Sequence, residues 1–288
     1  MNIRDIPVRV LGPGSQSDGA DGERLEYLSM PSDMSKYTPP LMPDPGAVRD
    51  LDGAREAMIW LQQALAEHRP DGKPLLANLN ALSDDCRSLV NQILGEGEVS
   101  VTRQGEVTAR TQESVLAGVW RTLYFDADDK VICDLLEVAS VPHVVDFGAE
   151  DSQTIDTRSE GVDDELANAL PILIEIEARC ESYGPDVLPY SINLSLLPLS
   201  EAELEFLDQR LGRGPVDILS RAYGRCQIIS TLTRNVWWVR YYNSMGVLIL
   251  NSIEIADVPE VVAAAPEDLK DSASRLNEIL APYWSDVA

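Results

Sequence analysis

A stretch of this chain occurs twice, and no other feature narrows its fold as far. Residues 82–145 align without a gap to residues 199–262 at a constant offset of 117. Val119-Trp120 falls on Val236-Trp237, and Leu94-Gly95-x-Gly97-x-Val99 falls on Leu211-Gly212-x-Gly214-x-Val216. Tyr124 and Ile132 meet Tyr241 and Ile249, and Glu137-x-Ala139-x-Val141-Pro142 meets Glu254-x-Ala256-x-Val258-Pro259. Upstream the register slips by two residues, so that Pro70-Asp71-x-x-Pro74 meets Pro185-Asp186-x-x-Pro189 and Asn78-Leu79 meets Asn193-Leu194. Chance matches do not hold one register this long, and the pattern reads as a tandem duplication. With 288 residues there is room for two modules of about 100 residues each.

Each copy has the same plan. A helix starts at Ser83 or Ser200, both suitable N-caps, and Glu203 completes a capping box in the second copy. It should end at Gly95 or Gly212, where a left-handed residue is needed. Strands follow, the clearest at Val115–Phe125 and Val131–Val138, then at Asn235–Asn243 and Val247–Ile255, each pair an antiparallel hairpin. Further helices are expected at Val48–His68, at Asp163–Ser182 with a kink at Pro171, and at Pro266–Leu280. The expected fold class is α+β, two modules each with an antiparallel sheet and helices on one side. Residues 1–46, rich in proline and glycine, read as an extended segment with one short strand near Arg9–Leu11. The first module takes 47–146, an acidic linker 147–162, and the second module with its C-terminal helix 163–288.

The formal charge of −25 repels nucleic acid and anionic membrane surfaces, and a solvated acidic face or a basic partner both fit it. Cys86, Cys133, Cys180 and Cys226 share no short spacing and the two histidines, His68 and His143, are isolated, so no metal site or cofactor is expected. Scattered cysteines suit a reducing compartment. The N-terminus shows no apolar signal region, which makes a cytoplasmic location the expectation.

Where the copies diverge, the second becomes basic and aromatic. From Gln209 to Ile253 it has six arginines against one acid, whereas Gln92 to Leu136 has four basic residues against eight acids. In Asn235-Val-Trp-Trp-Val-Arg-Tyr-Tyr-Asn243, alternation puts Trp237 and Tyr241 on one face. Trp120 and Tyr124 hold the same positions in the first copy, which marks that face as core. Trp238, Arg240 and Tyr242 lie opposite, at the positions of Arg121, Leu123 and Phe125, and read as a docking face. Arg234, Asn235, Arg221 and Arg225 extend the candidate surface. Two readings stay open for these side chains: a partner-binding surface, or arginines paired with acids of a packed helix or of the sister module.

Three segments carry a resemblance: Leu11-Gly-Pro-Gly-Ser-Gln16, Leu25-x-Tyr-Leu-x-Met-Pro-x-x-Met34, and the strand Asn235–Asn243 with Leu248–Ile255. With the tandem module, they are similar to the hydrogenase expression/formation family known as HupH or HyaF. The resemblance implies a cytoplasmic accessory protein without catalytic chemistry, acting in maturation of uptake nickel–iron hydrogenases. Its implied partner is the iron–sulfur small-subunit precursor before export, alongside a thioredoxin-like companion. Gly12, Pro13, Gly14, Ser15 and Gln16 become candidate interaction residues, as an ordered turn or as a recognition segment; no lysine follows to make them a phosphate loop. An exposed sheet edge in the second module would accept an extended segment by strand addition. The alternative is a redox or cluster-transfer factor using Cys133 or Cys226.

Overall fold

A computed structural model describes Gly46, Val48 and residues 50–69, 72–146, 152–158, 164–221 and 224–284. The N-terminal motif at Gly12–Gln16 and the strand expected near Arg9 lie outside the described residues. Helix α1 (Asp52–Glu67) buries Ala54, Ala57, Met58, Leu61, Ala64 and Leu65, the i, i+3, i+4, i+7 stripe of a helix lying on a core. Strand β1 (Leu75–Asn78) and helix α2 (Asp84–Leu94) follow, then β2 (Val99–Arg103), β3 (Thr108–Glu113), β4 (Val119–Phe125) and β5 (Val131–Val138). The second half repeats this order as α3 (Ala169–Ser182), β6 (Tyr190–Asn193), α4 (Glu201–Leu211), β7 (Val216–Ser220), β8 (Arg225–Ser230), β9 (Val236–Tyr242) and β10 (Leu248–Ile255). A last helix, α5 (Pro266–Leu280), closes the described chain. Pro171 sits in the first turn of α3, where a missing N–H costs little, so it opens the helix instead of kinking it.

The strands do not form two separate sheets. They make one ten-stranded antiparallel sheet in the order β1-β5-β4-β3-β2-β7-β8-β9-β10-β6. The join is the β2–β7 pair, and its register is symmetric: Val101 lies opposite Ile218, its own counterpart 117 positions on, with Val99 opposite Ser220 and Arg103 opposite Val216. Many contacts recur at that offset. Trp120 Nε1 donates to Ala139 O at 2.8 Å, and Trp237 Nε1 to Ala256 O at 3.1 Å. The hairpin turns agree as well: Asp126 Oδ1 accepts from the amides of Asp128 and Lys130, and Asn243 Oδ1 from those of Met245 and Val247.

Three cores hold the sheet. On one face α1, α2 and α5 pack over Val119, Leu136 and Val138, and α3 and α4 pack over Val236, Trp238, Ile253 and Ile255. The other face gathers Val101, Trp120, Ile218, Ile228, Trp237 and Val239 from both halves beneath the turns that carry Val144, Val145 and Val262. The segments that follow each half cross to the other. Helix α5, expected to belong to the second module, packs on the first: Leu269, Leu276 and Leu280 join its core, and Ser272 Oγ donates to Ala117 O. A Cβ on Gly118 would lie 2.1 Å from Leu269 Cδ2, so a larger residue there forces the Leu269 side chain of α5 to move. At the matching position Asn235 keeps the same left-handed backbone, φ 63° against 76°, without that helix above it. Instead residues 152–158, read from sequence as linker, lie along the second half. Gln153 N donates to Leu232 O, Thr233 Oγ1 donates to Gln153 O, and Ile155 is buried in the core beneath α3 and α4.

Candidate functional site

Strand β9 carries the residues that alternation singled out, and the structure separates them. Trp238 is not a docking residue on an open face. It is 4% exposed, packed under α3 and α4, with its Nε1 donating to Asn251 Oδ1. The strand is buried on both faces here, so alternation cannot tell core from surface. Arg240 is half-buried, with its guanidinium 4.6 Å above the Trp238 ring and 3.8 Å from Asp208 of α4. Tyr242 is half-buried, and Arg225 lies opposite it with its guanidinium 5.8 Å from the ring. Arg221, exposed beyond the end of β7, donates its amide to Glu98 O of the first half. Arg234 and Asn235 stand at the far end of β9. Arg234 lies 3.7 Å from Asp146 and Asn235 Nδ2 donates to Asp257, in a separate cleft that also takes in Val141, Pro142 and His143. Arg210 also pairs with Asp156, so several arginines of the basic window answer acids of the helix, of the linker or of the other half.

Trp238, Arg240, Tyr242, Leu248 and Asn251 form the floor of one groove of about 430 Å³, and Leu204 of α4 lines its wall. Glu201, Glu205 and Asp208, all exposed on α4, make its rim. Leu248 begins β10, and at the adjoining β9–β10 turn Met245 is 84%, Val247 55% and Ile249 60% exposed. Next to it, Leu196 (80% exposed) and Leu197 end the turn that follows β6. That turn is fastened to β10 by Ser195 Oγ accepting from Asn251 N. Among the described residues, edge strand β6 pairs only with Ser252–Ile255, and no strand flanks Leu248–Leu250 on that side. Several exposed large apolar side chains on neighbouring turns are a feature of interaction surfaces. The sequence reading did not single out Met245, Val247, Ile249, Leu196 or Leu197. The signal was present at the same offset, where Asp128 and Lys130 stand in place of Met245 and Val247.

The corresponding place in the first half is built differently. Arg121, at the position of Trp238, donates Nε to Asp134 Oδ1 at 2.9 Å and Nη2 to Oδ2 at 2.7 Å. Asp134 stands where Asn251 does and is buried, with Asn80 Oδ1 accepting from its amide. Arg87, in place of Leu204, reaches the carbonyl of Leu82 and approaches Asp134 Oδ2 to 3.6 Å, beyond hydrogen-bond range. An ionic cluster thus takes the place of the second half's aromatic floor.

Of the two candidate cysteines, Cys226 is poorly placed for redox chemistry. Cys226 is buried on the shared core face, and loss of solvent pushes its thiol up to about 11, away from the thiolate that such chemistry needs. Cys133 is half-buried opposite Tyr124. Among the described residues no group of three His, Cys, Asp or Glu side chains is arranged to hold a metal ion. No helix among them is long and apolar enough to cross a membrane. One polar relay stands apart: buried Glu137 accepts from His143 N and contacts Nδ1, and the imidazole Nε2 meets Tyr124 Oη at 2.7 Å.

The family described as "HupH hydrogenase expression protein, C-terminal conserved region" matches the chain twice, over residues 53–162 and 166–283. Hydrogenase expression/formation protein HoxQ of Cupriavidus necator is 42% identical over 281 residues, which are 97% of this chain and 98% of that one. Hydrogenase expression/formation protein HupH of Rhodobacter capsulatus is 37% identical over 96% of each chain. Hydrogenase-1 operon protein HyaF of Escherichia coli is 38% identical over 76% of this chain and 77% of its own. Among solved structures, hydrogenase expression protein HupH from Thiobacillus denitrificans is 32% identical, with a TM-score of 0.38, and covers 40% of this chain and 96% of that one.

Proposed function

Since this chain belongs to the HupH hydrogenase expression protein family, we propose that it is a non-catalytic accessory protein of hydrogenase maturation. In this reading it works in the cytoplasm and holds the iron–sulfur small-subunit precursor before export. The observation that carries the reading is the 42% identity, over nearly the whole of both chains, to a protein named for hydrogenase expression and formation. The groove on the second half supports it from the physical side. A holding protein needs an exposed surface that an incompletely folded chain can cover, and the Met245–Ile249 turn with Leu196 and Leu197 provides one.

We further infer that the two halves descend from one duplicated module. The family match falls on both, the elements recur in order, and the symmetric Val101–Ile218 register joins each half to the other at the same strand. Duplication frees one copy to diverge, and the second copy is the one whose hairpin tip has become apolar, with Met245 and Val247 in place of Asp128 and Lys130.

The test is recovery of tagged protein from cells that express a hydrogenase operon, followed by mass spectrometry of what stays bound. The small-subunit precursor is expected in the bound fraction. Its absence from that fraction, in cells that demonstrably make it, would remove the reading.

A further inference from the structure

A second cleft, of about 720 Å³, lies under the β2–β3 turn on the face of the sheet opposite the helices. Strand register builds it. Arg103 of β2 lies opposite Ala109 of β3, and Ala109 lies opposite Tyr124 of β4. The three therefore share one face, with Arg103 and Tyr124 two strand spacings, about 10 Å, apart at the backbone. Between them Ala109 offers only a methyl group. Val107, Val144, Pro215 and Leu232 make the remaining wall largely apolar. A cleft of this size, apolar with a few placed polar groups, is the ordinary form of a small-molecule site.

The polar groups specify the ligand. Arg103 Nη1 donates to Asp146 O at 3.0 Å, while its Nε and Nη2 have no acceptor among the described residues. That free edge is the one that takes a planar carboxylate through two parallel bonds. Tyr124 is positioned by the relay behind it: its Oη meets His143 Nε2 at 2.7 Å, and His143 is fixed through N and Nδ1 by buried Glu137. Burial and the charge of Glu137 push the Tyr124 phenol up, against a smaller opposing pull from Arg103, so guanidinium and phenol act on the same space. Arg213 also lines the cleft, but its guanidinium is taken by Asp217 at 2.6 Å. From this row we infer that the cleft binds a small monocarboxylic acid with an apolar body. The carboxylate sits on the free edge of Arg103, and the body lies between Tyr124 and the apolar wall. One available guanidinium balances one negative charge. Glu106 at the turn and Asp146 beside Arg103 disfavour a dianion such as phosphate.

The second half shows that the scaffold does not require these groups. Its matching row is Ser220, Cys226 and Tyr241. The cation is gone, and a thiol hydrogen-bonded to Tyr241 stands where Ala109 leaves room. Glu260 replaces His143, and burial together with that second carboxylate pushes Glu254 up. What remains is an acidic cleft of about 350 Å³, which repels an anion. The inference goes beyond the accessory role and does not rest on it.

The test is isothermal titration calorimetry of the full chain with phenylacetate, with phenylacetamide as its neutral match and inorganic phosphate as the competing anion. Phenylacetate should bind saturably at one site per chain, more tightly than either of the others. Arg103→Gln should weaken it by at least about tenfold, the loss of a charged two-bond contact. Val107→Trp, altered at an exposed position on the wall, should weaken it by narrowing the cleft. Arg213→Gln should leave it unchanged. Circular dichroism and a urea midpoint verify that each variant is folded. Absence of saturable phenylacetate binding, or equal affinity for phenylacetamide, overturns the proposal. So does undiminished binding by folded Arg103→Gln, a loss in Arg213→Gln as large as in Arg103→Gln, or tighter binding of phosphate. Two sites per chain would also overturn it, because the second half lacks the cation on which the argument depends.

Discussion

The two halves of the sheet place the same backbone under different loads. In the first, Arg121 and Asp134 form a buried bidentate ion pair, helix α5 is seated over the β3–β4 turn, and the hairpin tip is charged. In the second, Trp238 and Asn251 hold the same two positions with one hydrogen bond, an extended segment replaces the helix, and the hairpin tip is apolar and exposed. The first half has polar pairing and an added helix, and although Val131 and Ile132 stay exposed, the tip of their hairpin is charged. The second leaves apolar surface uncovered beside an acidic rim. One framework therefore tolerates both solutions at its periphery, provided the central β2–β7 pair and the indole-to-carbonyl bonds of Trp120 and Trp237 are kept.

The comparison is most exposed to test at the buried ion pair. Arg121→Met leaves the Asp134 carboxylate buried with only Arg87 nearby, and removing one partner of a buried pair costs about 3–5 kcal/mol. Urea unfolding should show that loss. Adding Asp134→Asn, which copies the residue of the second half, should recover most of it, because the uncompensated charge and not the missing attraction is the main cost. Trp238→Phe removes the donor to buried Asn251 Oδ1 and part of the ring beneath Arg240, and should cost about 1–3 kcal/mol. Equal losses for Arg121→Met and Trp238→Phe would mean that the two halves are not stabilised by different means.

A smaller effect separates the halves by pH. Glu113 stands near the end of β3, where burial pushes its carboxyl up to about 6; its counterpart Ser230 is neutral and bonds to the backbone of Val216. An acid whose folded value is raised holds its proton more tightly in the folded state. Its contribution is complete below about pH 4.5 and is lost as pH rises through 6. The loss amounts to about 1–2 kcal/mol at pH 7. Glu113→Gln should therefore be more stable than wild type at neutral pH and should flatten the stability profile between pH 4.5 and 6. An unchanged profile would place the slope elsewhere.

Sequence revealed most where the determinants are local. Ser83 and Ser200, Gly95 and Gly212, and the paired hairpins all announce themselves through capping, a left-handed residue or period-two alternation, and the structure has them in place. What stayed hidden depends on contacts between distant segments. Nothing in Val99–Arg103 or Val216–Ser220 says that these two strands pair and merge two sheets into one. The pattern of α5 marks an apolar face but not which half it covers. Trp238 was misplaced because alternation assumes one wet face, and β9 is covered on both. The groove itself is half legible: Arg240 and Tyr242 stand out in the sequence, whereas Val247–Ile249 read only as the start of a strand, with nothing to show that they are exposed.

The smallest difference between the halves lies at their helix starts, and it is the most sharply defined. Ser83 Oγ accepts one bond, from Cys86 N at 3.3 Å, near the limit of a useful interaction. Ser200 takes part in a full capping box: its Oγ accepts from Glu203 N, and the Glu203 carboxylate accepts from Ser200 N while also receiving Asn168 N. Those backbone bonds hold the Glu203 carboxyl below its ordinary range despite burial. Replacing an N-cap serine by alanine costs about 0.5–2 kcal/mol. Ser83→Ala should fall at the low end of that range. Ser200→Ala should cost about 1 kcal/mol, because it also loosens the carboxylate that ties α4 to the turn before α3. The second loss should shrink as pH falls and Glu203 takes up a proton, whereas the first should not change. Urea midpoints of both variants at neutral and acidic pH decide it, and a Ser83→Ala loss equal to or larger than that of Ser200→Ala would show that the box adds nothing to the single cap.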